Sequence, residues 1–498
     1  MTEEEKKDQP QKPEPQKDEL VVSQHSILLD GIEIPYTVTC GTIVLKKETV
    51  KTGEKEGESE GEKPKATIFF IAYTRDEVTD PSTRPITFSF NGGPGSSSVW
   101  LHLGLLGPRR VEMGDAGAVL PPPYRLITNE MSVLDVTDLV FIDPVSTGYS
   151  RPVTGEKAKD FHSIQKDIES VGDFIRLYTS RYQRWMSPKF LIGESYGTTR
   201  ACGLSGYLQD RHGMFLNGIM LISAVLNFTT LEFELNNELP YLVFLPTYTA
   251  TAWYHQRLPA ELQKKNLRSV LDEVEFFAAN EYTLALMKGD ALPEEEQKEI
   301  AKRIAYFTGL RQDYVERSNL RIGILHFTRE LLRSERRTVG RLDSRFLGFE
   351  RDAIGEQMTE DPSMSAIMGP YTAALNHYVR AELNYESDLP YEILANLWQT
   401  WSYAGHENKF VDVGETLRKA MTSNPYLNVY VANGYYDLAT PYFATEYTFN
   451  HLAMNPSLKS NISMGYFEAG HMMYMHMPSL TQLKIDLAGF IQASKRVN

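Results

Sequence analysis

The chain has 498 residues, of which 42% are hydrophobic and 23% are charged, a composition typical of a globular protein with a large core. Its formal net charge of −14 disfavours a nucleic-acid-binding surface, because such a surface needs a basic patch to neutralise phosphates. Two cysteines, Cys40 and Cys202, exclude a disulfide framework and a CxxC metal motif. No apolar run reaches the length of a transmembrane helix, so neither nucleic acid nor membrane is a predicted partner.

The first 19 residues are polar, charged and punctuated by proline, which predicts a disordered tail. They contain no apolar stretch of the kind that forms the centre of a signal peptide. We therefore expect a cytoplasmic protein.

Strand-like alternation, rich in β-branched residues, begins at residue 32 and continues to residue 45. Residues 46–65 are rich in Lys, Glu and Gly, and a second strand-like stretch follows at 66–76. This order predicts a hairpin whose two strands are joined by a long solvated loop.

Six short and nearly continuous apolar runs follow. Such runs are typical of strands that are buried on both faces, as in a parallel sheet covered by helices. Helical spacing of apolar residues at 161–182 supports an alternation of strand and helix. The predicted fold class is α/β, with a mostly parallel central sheet and helices on both faces. The six runs are 85–90, 138–145, 189–195, 218–225, 428–434 and 462–470.

The sequence pattern changes at residues 231–404, which contain few strand-like runs and many charged helical patterns, such as 259–288 and 292–310. We interpret this segment as a helical insertion, a lid that separates two parts of one core. The predicted parts of that core are residues 20–230 and 405–498.

A candidate nucleophile lies in the sequence GESYG at 193–197. The motif follows an apolar run and precedes a helical stretch, which is the strand, sharp turn and helix of a nucleophile elbow. Small residues two positions on either side of Ser195 are needed there, because the strained turn brings the neighbouring backbone close.

A serine hydroxyl needs an adjacent base that a third group holds in place. On an α/β-hydrolase sheet these partners follow in the order Ser, Asp or Glu, then His. Asp437 and His471 each come at the end of an apolar run and in this order. His476 is a rival for the base, but it lies further from the strand end and is predicted to be a wall or surface residue.

Glycines follow the run 85–90 in the sequence NGGPG at 91–95. Glycine directly after an early strand lets a backbone N–H face a developing oxyanion. We predict an oxyanion hole formed by the N–H groups of Gly93 and Tyr196. The Gly-rich turn lacks the GK[ST] of a phosphate loop, and no metal or organic cofactor is implied. These features together predict the α/β-hydrolase fold with a helical lid.

The chain also resembles the serine carboxypeptidase family, peptidase family S10. The segments that carry this resemblance keep the family's order and extend over most of the chain. They are NGGPGSSS (91–98), LGLLGPRRV (103–111), FIDPVSTGYS (141–150), GESYG (193–197), NGYYDLATP (433–441) and EAGHMMYMHMP (468–478).

The resemblance implies release of single residues from peptide or protein C-termini through an acyl-enzyme on Ser195. It also implies that Asn91 and Glu194 bind the terminal carboxylate of the substrate. Two carboxyl groups in contact cannot both stay ionised, so Glu194 is expected to be protonated when it binds substrate. This predicts activity that is favoured at acidic pH.

Three departures from the family pattern affect this expectation. Leu105 stands where the family often has a second Glu that supports the carboxylate site, so part of that hydrogen-bond network is expected to be missing. Ser96 replaces a family Cys, and Tyr474 and His476 stand where Pro and Asp are common. The predicted triad and oxyanion hole are unaffected by these changes, whereas strict exopeptidase specificity and the preferred side chain stay open.

Two alternatives remain besides a carboxypeptidase. The same triad and oxyanion hole serve any acyl transfer, so an esterase or acyltransferase is possible on this fold. A catalytically silent binding protein is the other alternative, although such a protein would normally have lost a triad member or the glycines. The sequence gives no indication of oligomeric state.

Overall fold

The computed structural model describes residues 16–51, 56–114 and 118–495. Residues 1–15, most of the predicted tail, lie outside this described part. The strands are β1 (Glu19–Leu29), β2 (Ile32–Val50), β3 (Ser59–Arg75), β4 (Ile86–Phe90), β5 (Arg109–Val111), β6 (Leu126–Thr128), β7 (Asp138–Ile142), β8 (Arg151–Pro152), β9 (Lys189–Ser195), β10 (Gly218–Ala224), β11 (Arg337–Val339), β12 (Leu347–Phe349), β13 (Asn428–Gly434) and β14 (Ile462–Phe467). The helices are α1 (Val99–Leu101), α2 (Ile164–Arg181), α3 (Tyr196–His212), α4 (Leu239–Tyr254), α5 (Ala260–Gln263), α6 (Leu267–Phe277), α7 (Thr283–Lys288), α8 (Glu294–Thr308), α9 (Gln312–Arg317), α10 (Ile324–Glu330), α11 (Pro362–His377), α12 (Gly414–Ser423), α13 (Tyr442–Asn450) and α14 (Met477–Ser494).

One large sheet has the strand order β1-β2-β3-β7-β4-β9-β10-β13-β14, with β8 paired to β3. Neighbouring strands from β7 to β14 are parallel, whereas β1, β2, β3 and β7 pair in antiparallel fashion. All six apolar runs form strands of the parallel part, as predicted. Every residue of β4, β7 and β10 is buried, which is why these strands read as continuous apolar runs.

The antiparallel part of the sheet is larger than the sequence predicts. Strand β2 extends to Val50 and β3 begins at Ser59, so most of the predicted solvated loop at 46–65 is paired strand. Backbone hydrogen bonds between antiparallel strands form whatever the polarity of the side chains. The charged composition of this segment therefore misled the prediction.

The predicted tail also ends too late. Glu19 begins β1, and the Asp18 carboxylate accepts a hydrogen bond from Val44 N at 2.8 Å. The same carboxylate pairs with the Arg181 guanidinium on α2 at 2.6 Å. These contacts attach residues 18 and 19 to the sheet, although their composition resembles that of the preceding residues.

Helices cover both faces of the sheet and divide its core in two. On one face, α2, α3 and α12 contribute to a cluster of buried apolar side chains. On the other, α11 and α14 contribute to a second cluster that also contains Leu105 and Tyr474. The fold is the mostly parallel sheet with helices on both faces that the sequence predicts.

Helices α4 to α10 lie between β10 and β13 in the chain and share a third apolar cluster. That cluster includes Tyr436 and Leu438, the two neighbours of Asp437, as well as Tyr442 at the start of α13. The helical pattern at 259–288 forms separate helices, α5, α6 and α7, rather than one. The segment also contains the small hairpin of β11 and β12.

Candidate active site

Ser195 ends β9 and immediately precedes α3, so the chain turns from strand to helix at this residue. Its backbone has φ 60° and ψ −131°, a conformation that costs a non-glycine residue free energy and is typical of a nucleophile elbow. A Cβ at Gly193 would clash with the carbonyl of Gly197. The two glycines of the motif therefore permit the tight turn, as the sequence predicts.

Asp437 lies after β13 in a loop that surrounds its carboxylate with donors. Oδ1 accepts hydrogen bonds from Ala439 N at 2.8 Å and Thr440 N at 3.0 Å. Oδ2 accepts one from the Thr440 hydroxyl at 2.7 Å and contacts His471 Nδ1 at 2.7 Å. Asp437 is fully buried, so these contacts fix the orientation of the imidazole.

His471 is held from its backbone as well as from its ring. Its N–H donates to Leu342 O at 2.6 Å, and its carbonyl accepts from the Ser223 hydroxyl at 2.7 Å. Since Nδ1 of His471 faces Asp437, Nε2 is the ring nitrogen left to face Ser195. Ser195 and His471 line the same cavity.

The pKa of His471 is set by opposing effects. Burial disfavours the imidazolium, but the charge and hydrogen bond of Asp437, together with the charge of Glu194, outweigh it, so the pKa of His471 lies above its ordinary value of 6.5. The charge of Arg341, which also lines the cavity, acts in the opposite direction. An Asp437–His471 pair of this kind stabilises the imidazolium that a general base becomes.

His476, the predicted rival, lies at the start of α14. Its Nδ1 contacts the Ser479 hydroxyl at 2.8 Å, and it is not part of the cavity lining. The structure therefore brings His471, and not His476, together with Ser195 and Asp437.

Glu194 precedes the serine and is almost completely buried, with 3% of its surface exposed. Its Oε1 accepts a hydrogen bond from Asn91 Nδ2 at 3.1 Å, so the predicted carboxylate-binding pair is in direct contact. Its Oε2 accepts one from the Tyr474 hydroxyl at 2.6 Å. Burial raises the pKa of Glu194 to about 7, although His471, Tyr474 and Asn91 each act to lower it.

The loop after β4 places Asn91 and the glycines beside the elbow. Asn91 Oδ1 accepts from Leu101 N at 3.1 Å, and its backbone carbonyl accepts from the buried Arg200 guanidinium at 2.5 Å. A Cβ at Gly92 would clash with Tyr196 N. Gly93 has φ +104° and lines the cavity.

The cavity has a volume of about 390 Å³. Asn91, Glu194, Ser195 and His471 open onto it, and Arg341 contributes a cationic group. Much of the remaining wall is apolar and includes residues of the segment 231–404. The apolar wall residues are Trp100, Leu342, Met364, Ile367, Leu394, Leu397, Trp398 and Met472.

Several functional neighbours were not predicted from the sequence. Thr440 follows Asp437 by three residues, a spacing that a search for side chains capping an Asp loop could have found. Tyr474 appeared only as a departure from the family pattern, and no sequence signal predicts its contact with Glu194. Arg341 and Leu342 come from the predicted lid, far along the chain from every motif.

Among the described side chains, no three metal-binding residues are grouped as a metal site would require. A serine at a strained elbow beside a buried His–Asp pair, on a mostly parallel sheet, defines the class: the chain is an α/β-hydrolase.

Comparison with known proteins gives the family. The sequence model of the serine carboxypeptidase family matches residues 57–497, which is most of the chain, and the protein belongs to this family. The pheromone-processing carboxypeptidase KEX1 of Saccharomyces cerevisiae is 32% identical over 135 residues, which are 26% of this chain and 17% of that protein. Serine carboxypeptidase-like 46 of Arabidopsis thaliana is 22% identical over 228 residues, 43% of this chain and 45% of that one. The matched stretches thus span less than half of these relatives.

The shared fold extends over most of the chain even where sequence identity is low. The crystal structure of the prohormone-processing carboxypeptidase KEX1 from Saccharomyces cerevisiae superposes with a TM-score of 0.55 at 16% identity, covering 92% of this chain and 91% of that one. At this identity the superposition supports the shared fold and no finer statement.

The prediction of a cytoplasmic location is wrong. The relatives, which include the yeast pheromone-processing enzyme, a carboxypeptidase Y homologue and plant serine carboxypeptidase-like proteins, are secretory or vacuolar. The prediction relied on the polarity of the first residues, a local property that does not report the compartment of the folded enzyme. In the ranges that the structure describes, no helix combines the length and hydropathy needed to cross a bilayer.

Proposed function

We propose that this protein is a serine-type carboxypeptidase that hydrolyses C-terminal peptide bonds, with Ser195 as nucleophile, His471 as general base and Asp437 as the residue that orients the base. The contact between Asn91 and Glu194 carries the proposal. An amide donor and a buried acid, 3.1 Å apart, open onto the same cavity as Ser195 and His471. This pair distinguishes a site for a free carboxylate from a general acyl-transfer site.

In the proposed reaction, His471 Nε2 takes the hydroxyl proton while Ser195 Oγ attacks the carbonyl carbon of the last peptide bond. The N–H groups of Gly93 and Tyr196 stabilise the negative charge on the carbonyl oxygen. His471 then returns the proton to the leaving nitrogen, so the C–N bond breaks and an ester on Ser195 remains. A water molecule, deprotonated by His471, attacks this ester and restores the hydroxyl.

Carboxylate binding depends on the proton of Glu194. A protonated Glu194 donates a hydrogen bond to the terminal carboxylate of the peptide, alongside Asn91 Nδ2, whereas an ionised Glu194 repels it. Because the pKa of Glu194 is raised to about 7, binding is expected to weaken as the pH rises through neutrality. His471 must be neutral to act as a base, so the two groups together predict a bell-shaped profile that falls on the alkaline side.

The apolar wall of the cavity indicates which substrate side chains next to the cleaved bond are preferred. Trp100, Met364, Ile367 and Leu397 favour apolar side chains, since burial of apolar surface stabilises the complex. We further propose that residues 231–404 act as the lid, because several wall residues belong to this segment.

The proposal is tested by mass spectrometry of the products. Wild type and Ser195→Ala are incubated with a peptide free at both ends and with its C-terminally amidated twin, at pH 5 and pH 7.5. We expect stepwise loss of C-terminal residues from the free peptide, at a rate at least 10⁴-fold lower in the variant, as for loss of a triad serine. Equal cleavage of both peptides, or cleavage of simple esters alone, would instead favour an esterase or acyltransferase.

A further inference from the structure

Tyr474 lies in a short turn, Met473–Met475, just after His471. It is buried, with 1% of its surface exposed, and its hydroxyl donates to Glu194 Oε2 at 2.6 Å. A Cβ on Gly104 would clash with the Tyr474 ring, so the ring packs against the segment that contains Leu105. Leu105 is itself buried in the apolar core and contributes no polar group to the site.

We propose that Tyr474 is a positioning residue for carboxylate recognition: its hydroxyl engages Oε2 of Glu194, so that the acid proton stays on Oε1, beside Asn91, where the terminal carboxylate of the peptide binds. This inference rests on the proposed carboxypeptidase function. It also accounts for Leu105, since the Tyr474 hydroxyl supplies Glu194 with a hydrogen bond in place of the one expected to be missing at Leu105.

A protonated carboxyl group is asymmetric, because one of its oxygens carries the proton that it donates and the other only accepts. Because the Tyr474 hydroxyl occupies Oε2, Oε1 is the oxygen left to give its proton to the peptide carboxylate. Asn91 Nδ2 donates to Oε1 at 3.1 Å, and its second N–H is the donor that can join the acid proton on the terminal carboxylate of the peptide. Without the phenol, the proton can reside on either oxygen, and a buried acceptor loses its partner, which costs free energy.

A phenol differs from a second carboxyl group because it brings no negative charge at neutral pH. The titratable groups near Glu194 are His471, Asp437, Tyr474 and Tyr371. The Tyr474 hydrogen bond lowers the pKa of Glu194, although burial has the larger and opposite effect. Loss of the hydroxyl is therefore expected to make Glu194 hold its proton to higher pH.

The test is Tyr474→Phe, which removes one oxygen and keeps the ring. For the free peptide we expect KM to rise about tenfold at pH 5.5, as for loss of one hydrogen bond to a buried acid, with kcat changed less than about twofold. The pH at which KM begins to rise should move upward. Hydrolysis of the amidated twin and of an activated ester should not change, because neither presents a carboxylate.

The matched control is Tyr430→Phe, which removes a phenol that donates to the Asp486 carboxylate at 2.7 Å outside the cavity. It should leave KM and its pH dependence as in wild type. An unchanged KM and an unchanged alkaline limb in Tyr474→Phe would overturn the inference. A wild type that does not distinguish free from amidated peptide would instead overturn the proposed function.

A second variant keeps the test decisive if Tyr474→Phe does not fold. Replacing Tyr474 with 3-fluorotyrosine preserves the hydroxyl but makes it a stronger donor. KM for the free peptide should then begin to rise at lower pH than in wild type. A shift to higher pH, or none, would contradict the role assigned to the hydroxyl.

Discussion

At the scale of single residues, the site combines two titratable groups, Glu194 and His471, that must both be uncharged in the proposed reaction. In the proposed mechanism, Glu194 keeps its proton to bind a carboxylate, and His471 loses its proton to activate Ser195. Burial raises the pKa of Glu194 to about 7, whereas the Asp437 carboxylate, acting against burial, raises the pKa of His471 above 6.5. Because each influences the other, the two groups titrate as a pair.

Glu194→Gln separates the two titrations. Wild-type KM for a free peptide should be about 30-fold higher at pH 8.5 than at pH 5.5, because a group with a pKa near 7 is almost fully ionised at the higher value. A glutamine cannot ionise, so KM of the variant should vary less than about threefold over this range. Steady-state kinetics on the free peptide from pH 5 to pH 9 measures both.

The control for this experiment is Glu446→Gln. Glu446 also accepts a tyrosine hydroxyl, that of Tyr466 at 2.6 Å, but it lies outside the cavity lining. Its variant should retain the wild-type rise of KM. An equal rise in Glu194→Gln and wild type would show that the alkaline limb has another origin.

At the scale of elements, the site forms because parallel strands end at one edge of the sheet. Strands β4 and β9 are paired in register, with Phe90 opposite Gly193, so Asn91 emerges beside Glu194. Strands β13 and β14 are likewise paired, with Gly434 opposite Phe467, which brings the loops of Asp437 and His471 together. Ligand sites of open α/β sheets lie at this carboxyl edge for the same reason.

Gly92→Ala tests how closely the loop after β4 approaches α3. The added Cβ would clash with Tyr196 N, Gly197 N and Glu194 O, so the loop must move away from the predicted oxyanion hole. We expect kcat/KM to fall by about 10²- to 10³-fold, as for loss of an oxyanion donor. Kinetics and thermal unfolding would be measured on the same preparations.

Gly489→Ala is the matched control, since a Cβ at this position in α14 meets nothing within 4 Å. Alanine is also the better helix former, so activity should be unchanged and stability equal or slightly higher. Wild-type kinetics in Gly92→Ala would show that the loop can accept a side chain and that the close approach is not required.

At the scale of the whole molecule, the helical segment and the active site share one packed core. The cluster of α4 to α10 includes Tyr436, Leu438 and Tyr442, and the Tyr442 hydroxyl donates to Glu275 on α6 at 2.5 Å. The loop that carries Asp437 therefore packs against these helices. A substitution that destabilises the helical cluster should also displace the proposed catalytic pair, Asp437 and His471.

Leu271→Ala tests this coupling. Leu271 is fully buried in α6, and its truncation is expected to cost about 2–5 kcal/mol of the free energy of unfolding. We expect loss of helical circular dichroism and loss of peptidase activity to occur at the same, lowered temperature. Leu284→Ala, at an α7 position that is 63% exposed, should leave both midpoints near wild type. Activity that survives after the helical signal has melted would contradict a shared core.

Much of the fold could be predicted from the sequence because its signals are local. Burial on both faces makes a strand uniformly apolar, so six parallel strands could be recognised from their runs, and the elbow at Ser195 required glycines at fixed spacing. The order of Ser195, Asp437 and His471 followed from strand ends along the chain. Local composition misled the prediction where backbone pairing dominates, as at 46–50 and 59–65, where charged residues belong to paired antiparallel strands.

The sequence alone was sufficient for the family, the parallel part of the sheet and the residues proposed for the triad, because each depends on short patterns that the chain carries in order. Only the tertiary structure could place Tyr474 against Glu194, Thr440 against Asp437 and Arg341 in the lining of the cavity. Tyr474 is 280 residues from Glu194 along the chain. No periodicity encodes such a contact, because it depends on how separate loops pack at the edge of the folded sheet.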